Sequence, residues 1–466
     1  MLAYAAVLSR CGGEYVVRIP RNPVRWMGAV TCVGFLLRLP YLLLATPTDE
    51  GFFLYGGRYI LGGCEPYVCY FMDHPPLFQY SVAGVYKLAG VGMFQGKLLP
   101  FTMSVLSVWI IYSIGARMFS PQAGLVSASL FALTPGIAYF GASANQYSGP
   151  IFFFLSALAL AQRGGQGGGR WWLIASGVSL ALSSMIRLFA PVFLVSYVIV
   201  ALVKCRGNLM SAAYMVVGFV VGFLALNLLF YSPQMFEQVY LVHTRAGNWS
   251  LVEKIYSTFS VALPYHLPTA AFFAWAVQSR RFPQGVLAGA LYLNAFICLG
   301  LVFALKYSDH VNPVMYLTYA GASMSLIGGQ VGEVLDGRRF SRVGVFAVLF
   351  SLVFAPHLLN AYEAHRYTNS AADAAGYVEQ GAPFIGDPFV ALKSGGWYET
   401  TLFFHSAKHI REGKVTRENL AELPQGTVYA APKAGEGFDK RVYNVSLSDY
   451  ERVYENGGFT VYKKIR

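Results

Sequence analysis

The sequence has few charged residues and long stretches that contain none. Asp, Glu, Lys and Arg make up 12% of the 466 residues, whereas hydrophobic residues make up 55%. A soluble globular chain carries roughly 25% charged residues, because its surface must be hydrated. This scarcity excludes a chain made only of soluble domains and indicates a body that is embedded in a membrane.

The charge that is present is unevenly distributed. Residues 1–360 contain 22 basic and 10 acidic side chains, and residues 361–466 contain 13 of each. The whole net charge of +12 therefore belongs to the apolar part, where Lys and Arg mark cytoplasmic loops. This distribution excludes nucleic acid as the partner of the basic residues. It predicts a membrane domain over residues 1–361 and a soluble domain over residues 362–466.

Eleven apolar stretches approach the length of about 20 residues that a transmembrane helix needs. They are residues 26–45, 97–118, 121–141, 148–163, 171–186, 188–204, 209–230, 258–279, 284–305, 311–330 and 343–361. Basic residues occupy alternate loops, which places the N-terminus in the cytoplasm and the C-terminal domain outside it. We therefore predict a mainly α, polytopic, multi-pass protein of the cell membrane.

The C-terminal region mixes two kinds of pattern. Short β-rich runs at 383–392, 427–431 and 459–463 alternate with polar helical stretches at 371–380 and 416–423. Such alternation predicts a small α/β or α+β domain.

Several motifs that carry chemistry in other enzymes are missing. The glycine-rich stretch 164–169 lacks the Gly-Lys-Ser/Thr ending of a phosphate-binding loop, and the chain has no His-Glu-x-x-His or paired Cys-x-x-Cys. No cofactor follows from the motifs, and they leave a divalent metal open. Cys64 and Cys69 share one predicted external loop, where an oxidising compartment allows either a local disulfide or free thiols.

The first external loop, residues 46–96, is long and contains four acids. Two apolar stretches in it, 51–61 and 76–88, are too short to span and are predicted to be amphipathic helices at the membrane interface. Thr48, Asp49 and Glu50 open the first of them, where a capping Thr and two acids suit the helix dipole. The alternative is catalytic, because a carboxylate at the membrane surface can act as a general base.

The second candidate segment of this loop contains Asp73 and His74. Two prolines follow directly, and they hold the preceding backbone extended. A rigid polar segment near paired acids predicts a site, and a plain helix start with solvated neighbours is the alternative.

The order of the loop motifs resembles one known superfamily. Asp49-Glu50-Gly51, then Gly62-Gly63-Cys64-Glu65-Pro66-Tyr67, then Asp73-His74-Pro75-Pro76-Leu77 is similar to the first luminal loop of GT-C glycosyltransferases. The closest resemblance is to protein O-mannosyltransferases of glycosyltransferase family 39 and to lipid A aminoarabinose transferases. One departure is the segment 143–148, Ser-Ala-Asn-Gln-Tyr-Ser, which has no acid where many relatives carry a second one.

The resemblance implies a hexosyl- or pentosyltransferase that uses a lipid-linked donor. It would move the sugar from a polyprenyl or dolichyl phosphate to a hydroxyl of a protein, lipid or glycan outside the cytoplasm. Asp49 is the expected catalytic acid, with Glu50 beside it, and Tyr67, Asp73 and His74 are expected to bind substrate. Direct displacement assisted by Asp49 as general base predicts inversion at the anomeric carbon.

A phosphate leaving group needs positive charge more than it needs a proton donor. The basic candidates near the external face are Arg58, Arg187, Arg245, Lys306 and His310. Arg187 lies between two predicted spans, where an ionisable residue indicates function or snorkels to the interface. Arg38, inside the first span, is interpreted as snorkelling.

A transporter or flippase for a lipid-linked or small solute is the alternative function. Transporters are often built from internal repeats with sites near the bilayer midplane. The sequence has no convincing repeat, and its acids cluster outside the predicted spans, which favours the transferase.

Overall fold

The computed structural model describes residues 23–46, 49–188, 190–204, 209–241, 250–279, 285–304, 312–331, 342–395, 397–398, 425–432 and 449–465. These residues are mostly helical. The helices are α1 (Pro23–Leu43), α2 (Glu50–Leu61), α3 (Leu77–Ala89), α4 (Met93–Met118), α5 (Pro121–Leu133), α6 (Pro135–Ala142), α7 (Ser148–Arg163), α8 (Arg170–Ser184), α9 (Ala190–Lys204), α10 (Leu209–Leu229), α11 (Leu251–Ser257), α12 (Leu263–Gln278), α13 (Val286–Ala304), α14 (Asn312–Gly329), α15 (Arg342–Ala375) and α16 (Pro388–Ser394). The strands are β1 (Pro383–Gly386), β2 (Trp397–Tyr398), β3 (Val428–Pro432), β4 (Tyr450–Glu455) and β5 (Phe459–Lys464).

Within the described residues, three helices are long and apolar enough to cross a membrane: α1, α4 and α10. Helices α5 and α6 add a fourth span if they are counted together, although they meet at 66°. The prediction of eleven spans is therefore not confirmed, since predicted spans such as those at α7 and α8 are helices of only 16 and 15 residues. Exposed apolar side chains on α10, including Val221, Leu224 and Leu228, suit contact with lipid.

The bend between α5 and α6 is held by Arg38. Pro135 has no N–H, so the Phe131 carbonyl has no helical donor there. Arg38 supplies one: Nη2 donates to the Phe131 carbonyl at 3.3 Å, and Nη1 donates to the Ala132 carbonyl at 2.7 Å. The side chain is fully buried, and Nε also donates to Ser104 Oγ at 2.9 Å. The expectation that Arg38 snorkels is wrong, because its donors serve carbonyls that the broken helix exposes.

The two short helices predicted in residues 46–96, here called the first loop, are present at Glu50–Leu61 and Leu77–Ala89. They are packed more deeply than amphipathic surface helices, and eight of the twelve residues of α2 are buried. A side chain at Gly56 would collide with Gln79 of α3, and one at Gly51 would collide with Pro388 of α16. The glycines thus let α2 pack against α3 on one face and against the C-terminal domain on another.

The C-terminal domain contains one five-stranded sheet in the order β2-β1-β3-β5-β4. Strand β1 is parallel to β2 and β3, whereas β5 is antiparallel to β3 and β4. The predicted combination of a mainly helical chain with a small sheet near its C-terminal end is present. The predicted boundary of the C-terminal domain at residue 361 falls inside the 34-residue helix α15, which runs continuously into the domain.

One hydrophobic cluster joins the C-terminal domain to the first loop. It includes Phe53 and Tyr70 from the loop, Ala374 from α15, and Phe389 and Val461 from the domain. Burial of shared apolar area stabilises both parts together. The C-terminal domain therefore forms part of the wall around the loop that contains the predicted site.

Candidate active site

Glu50 lies in a fully buried ion pair. Its Oε2 is 2.8 Å from Lys97 Nζ of α4, and neither side chain is exposed to solvent. Oε2 also accepts from the Thr46 backbone N–H and hydroxyl at 3.0 and 2.8 Å, and Oε1 accepts from the Ala144 N–H at 2.6 Å. Both carboxylate oxygens are thus engaged by the protein.

The ammonium group of Lys97 is also fully hydrogen-bonded. Its Nζ donates to the Tyr41 and Leu44 carbonyls at 2.9 and 2.6 Å, as well as to Glu50. An ammonium group has three donors, so all of them have acceptors. We call Glu50, Lys97, Thr46 and the Ala144 N–H the Glu50 cluster. It fixes the end of α1, the start of α2 and the loop after α6 to one another.

Asp49 differs from its neighbour in exposure. It precedes α2 with a helical backbone, and its carbonyl accepts from the Phe52 and Phe53 N–H groups at 3.1 and 3.3 Å. The side chain is half-buried and makes no capping hydrogen bond to the described first turn of α2. Asp49 is therefore less buried than Glu50, and its backbone is fixed by the helix and the Glu50 cluster.

Asp73 and His74 lie together beyond α2. Asp73 is 3% exposed, and the His74 Nε2 is 3.7 Å from its Oδ1. The His74 ring centroid lies 5.8 Å from that of Phe53. The contact between His74 and Phe53 brings the second motif of the loop against α2.

Tyr67 shapes the loop that carries these residues. Its hydroxyl donates to the His74 carbonyl at 2.8 Å, and its backbone has a φ of 69° in the left-handed region. Burial raises the pKa of Tyr67 well above its ordinary value, so the phenol stays protonated as a donor. The structure therefore gives Tyr67 a contact within the protein.

Gln238, in the π-helical segment Phe236–Leu241, forms hydrogen bonds to the backbone of the loop that contains Tyr67 and Met72. Its Oε1 accepts from the Met72 N–H, and its Nε2 donates to the Tyr67 carbonyl, each at 2.9 Å. This side chain was not among the predicted site residues. No local signal in the segment Phe236–Leu241 distinguishes Gln238 from its polar neighbour Glu237.

Arg58 contacts the C-terminal domain. Its Nη2 donates to the Gly395 carbonyl at 3.1 Å, and its guanidinium carbon is 5.2 Å from the centroid of the Tyr55 ring. Arg58 thus joins the first loop to the C-terminal domain.

Arg187 lies just after α8 and faces the start of α7. Its guanidinium carbon is 4.3 Å from the centroid of the Tyr147 ring, a cation–π distance. The N–H of Leu77, which follows the two prolines, donates to the Met185 carbonyl at 3.2 Å. The structure therefore brings Arg187, the Asp73–Leu77 motif and the 143–148 loop into one region. Arg245, Lys306 and His310 lie outside the described residues.

The candidate region offers few ligands for a metal. Among the described residues, no three His, Cys, Asp or Glu side chains are grouped so that they could hold an ion. The 143–148 loop contributes amide and hydroxyl groups, whereas a divalent metal prefers carboxylates.

Cys64 and Cys69 are free thiols in this structure. Burial, followed by a hydrogen bond to Cys69, raises the pKa of Cys64 to about 12. A thiol with such a pKa is protonated at neutral pH and is a poor nucleophile.

The fold is shared with known membrane enzymes. ArnT from Cupriavidus metallidurans, in its crystal structure with undecaprenyl phosphate, is similar with a TM-score of 0.65 and 13% identity, over 94% of this chain and 97% of that one. The Archaeoglobus fulgidus oligosaccharyltransferase AglB, in complex with an inhibitory peptide and a dolichol-phosphate, gives a TM-score of 0.55 and 11% identity, over 95% of this chain and 74% of that one. The chain has a GT-C fold.

One protein family also matches part of the sequence. The family described as dolichyl-phosphate-mannose-protein mannosyltransferase matches residues 73–231. This segment begins at Asp73 and includes the 143–148 loop and Arg187. No curated protein matches the sequence. The predicted resemblance to GT-C glycosyltransferases is confirmed, and GT-C relatives are polytopic membrane proteins.

Proposed function

We propose that the protein is an inverting membrane glycosyltransferase that uses a polyprenyl- or dolichyl-phosphate-linked sugar as donor. The observation that carries the proposal is the contrast within Asp49-Glu50 in a GT-C fold. Glu50 is buried and fully bonded, whereas Asp49 is half-exposed on a backbone that Glu50 fixes. The solved complexes of ArnT with undecaprenyl phosphate and of AglB with dolichol-phosphate support this donor class.

Asp49 is the proposed general base. An acceptor hydroxyl attacks the anomeric carbon, its proton passes to the Asp49 carboxylate, and the carbon–oxygen bond to the phosphate breaks. The electron pair of that bond leaves on the phosphate oxygen, and attack from the opposite face inverts the anomeric configuration. Arg187 is proposed to stabilise the negative charge of the leaving phosphate. Glu50 and Lys97 act as positioning residues, because neither has a free hydrogen-bonding atom for the substrate.

Asp73 and His74 are proposed to contact the acceptor or the sugar beside Asp49. Arg58 and Tyr67 are proposed to shape the wall of the site, since each contacts the protein. The acceptor is a hydroxyl of a protein, a lipid or a glycan at the extracytoplasmic face of the cell membrane. Roles for Arg245, Lys306 and His310 at the lipid phosphate stay predictions.

The test uses the full-length protein, purified into nanodiscs. Undecaprenyl phosphate carrying a labelled hexose or pentose is supplied with an envelope extract from cells that lack the protein. Asp49→Asn is expected to lower kcat by about 10²–10⁴-fold, the contribution of a positioned base. Its melting temperature should change little, because Asn has the same shape as Asp, and Asp49 is half-exposed and does not cap α2.

Glu65→Gln is the matched control, because Glu65 is an exposed acid in the same loop. It is expected to retain wild-type turnover. Full turnover of Asp49→Asn would remove Asp49 as the base, and a product with retained configuration would contradict direct displacement. A transporter would move the donor across the bilayer without releasing undecaprenyl phosphate when acceptor is added.

A further inference from the structure

The loop before α7 contains buried polar atoms that the proposed chemistry does not use. Gln146 is fully buried, and neither its amide nitrogen nor its amide oxygen has a hydrogen-bond partner among the described residues. Ser148 is 1% exposed, and its hydroxyl also lacks a partner within the described part of the chain. Burying polar groups without hydrogen bonds is costly, so these atoms are expected to meet a ligand.

The backbone of Gln146 adds a second cost. Its φ of 60° lies in the left-handed region, which a residue with a long side chain rarely adopts. Such strain persists only where the surrounding structure imposes it, and it is concentrated at functional sites. Here the loop is fixed two residues earlier, where the Ala144 N–H donates to Glu50. The neighbouring contacts therefore hold the Gln146 backbone in a conformation that costs free energy.

Arg187 is brought to the same place by the packing of α8 on the first turn of α7. Ser183 Oγ donates to the Pro150 carbonyl at 2.9 Å, and Ile186 packs so tightly on Gly149 that a side chain there would collide with it. The Arg187 guanidinium lies over the Tyr147 ring, and its buried Nε has no partner among the described residues. Arg187 forms no salt bridge within the described part of the chain. A cation, an amide and a hydroxyl therefore lie around one helix start.

That helix start itself favours an anion. The first N–H groups of a helix have no partner within the helix, and the helix dipole is positive at this end. Tyr147, at the N-cap of the 16-residue helix α7, provides no capping side chain. Glu50 contributes little repulsion here, because Lys97 neutralises it at 2.8 Å.

We propose that Gln146, Ser148 and Arg187 form, with the first turn of α7, a binding site for a phosphate group. We call these three residues the Gln146 cluster. The assignment of this group to the lipid-linked donor rests on the proposed function. The Gln146 amide nitrogen, the Ser148 hydroxyl and the helix N–H groups would donate to phosphate oxygens, and Arg187 would supply the charge.

The test measures the affinity of the full-length protein in nanodiscs for undecaprenyl phosphate, undecaprenol and inorganic phosphate. Gln146→Glu is expected to weaken undecaprenyl phosphate binding at least tenfold, because it puts a negative charge beside the phosphate. Binding of undecaprenol should stay within twofold. Gln162→Glu makes the same charge change at the other end of α7, about 20 Å away, and should leave both affinities within twofold.

Gln146→Gly separates a ligand role from a structural one. Glycine adopts positive φ without strain, so the melting temperature should be unchanged or higher while undecaprenyl phosphate binds several-fold more weakly. Ser148→Ala should weaken it by a smaller factor. The proposal is overturned if Gln146→Glu and Gln146→Gly bind undecaprenyl phosphate as the wild type does. A fall in the melting temperature of Gln146→Gly at unchanged affinity would also overturn it, because Gln146 would then be structural.

Further outcomes of these measurements distinguish a lipid phosphate from free phosphate, and distinguish the phosphate site from the proposed transferase activity. Displacement of undecaprenyl phosphate by an equal concentration of inorganic phosphate would overturn the assignment to a lipid headgroup. Binding that depends on Gln146 without sugar transfer from any donor would support this site and contradict the proposed transferase. Transfer that is insensitive to Gln146 would contradict this site and leave the transferase standing.

Discussion

Two polar clusters meet at the 143–148 loop and differ in how their atoms are satisfied. In the Glu50 cluster, both carboxylate oxygens and the Lys97 ammonium have partners at 2.6–3.0 Å. In the Gln146 cluster, the amide, the Ser148 hydroxyl and the Arg187 Nε are buried without a partner among the described residues. A satisfied cluster stabilises the fold, whereas an unsatisfied one costs stability until a ligand arrives. Substitutions should therefore lower stability in the first cluster and ligand affinity in the second.

The largest expected effect on stability is at the buried ion pair. Lys97→Met leaves the Glu50 carboxylate buried without its counter-ion, and breaking such a pair costs about 3–5 kcal/mol. The measurement is the melting temperature of the full-length protein in nanodiscs. The Lys97→Met and Glu50→Gln double variant removes both charges and should recover part of the loss. A double variant that is no better than Lys97→Met would mean that the charge pairing contributes little.

The next effect is expected at the bend between α5 and α6. Arg38→Met keeps an unbranched side chain but leaves the Phe131 and Ala132 carbonyls without these donors. A buried carbonyl without a donor costs about 1–3 kcal/mol, and the melting temperature should fall accordingly. Arg38→Lys should give an intermediate value, because an ammonium lacks the planar fork that reaches both carbonyls. Wild-type stability of Arg38→Met would show that the bend does not depend on this residue.

The elements of secondary structure that depend on local sequence patterns could be predicted from the sequence. The apolar composition, the short helices of the first loop and the strands at 428–432 and 459–464 follow from local patterns, and they are present in the structure. The 383–392 run is a strand followed by a helix, because Asp387 caps and Pro388 opens α16. Strand β4 was missed, since its partly exposed residues do not alternate regularly between apolar and polar.

The contacts of the site depend on residues that are far apart in sequence. Lys97 was counted inside a predicted span, and an ionisable residue there was a signal that it would find a partner. Nothing local identifies that partner as Glu50, 47 positions earlier. The sequence marks the segment 143–148, which contains Gln146, only because it lacks an acid that many relatives carry there. The buried, unpaired state of the Gln146 amide depends on packing against α8 and the Glu50 cluster, which are distant in sequence.

A smaller effect is expected where Gln238 holds the first loop. Gln238→Leu removes the hydrogen bonds to the Met72 N–H and the Tyr67 carbonyl, at about 1 kcal/mol for each. Gln238→Glu keeps an acceptor for Met72 but places a buried carboxylate against the Tyr67 carbonyl, so at neutral pH it should lose more in melting temperature than Gln238→Leu. Because both polar atoms of the Gln238 amide have hydrogen-bond partners within the protein, neither variant should change the affinity for undecaprenyl phosphate more than twofold. A large change would place Gln238 with the ligand-binding residues.

The smallest expected effect is a pH dependence at Asp387, where the C-terminal domain meets α15. Burial raises the pKa of Asp387, although the Tyr367 hydroxyl and two backbone N–H groups donate to it. A raised pKa means that the folded state holds the proton more tightly. The resulting stability is present below the ordinary pKa of an Asp, near 4, and is lost as the pH rises through the folded pKa.

Asp387→Asn removes this titration and keeps a good helix N-cap. The melting temperature of the variant relative to the wild type should therefore increase as the pH rises from 4 to 7. Glu379 is a matched control whose pH dependence has the opposite sign. A hydrogen bond from Lys463 lowers the pKa of Glu379, so the stability that this carboxylate contributes is lost as the pH falls. Its full exposure makes that contribution small. If the difference in melting temperature between Asp387→Asn and the wild type stayed constant across this pH range, the pKa of the Asp387 carboxylate would not be raised in the folded protein. In that case, the donors around Asp387 would offset its burial.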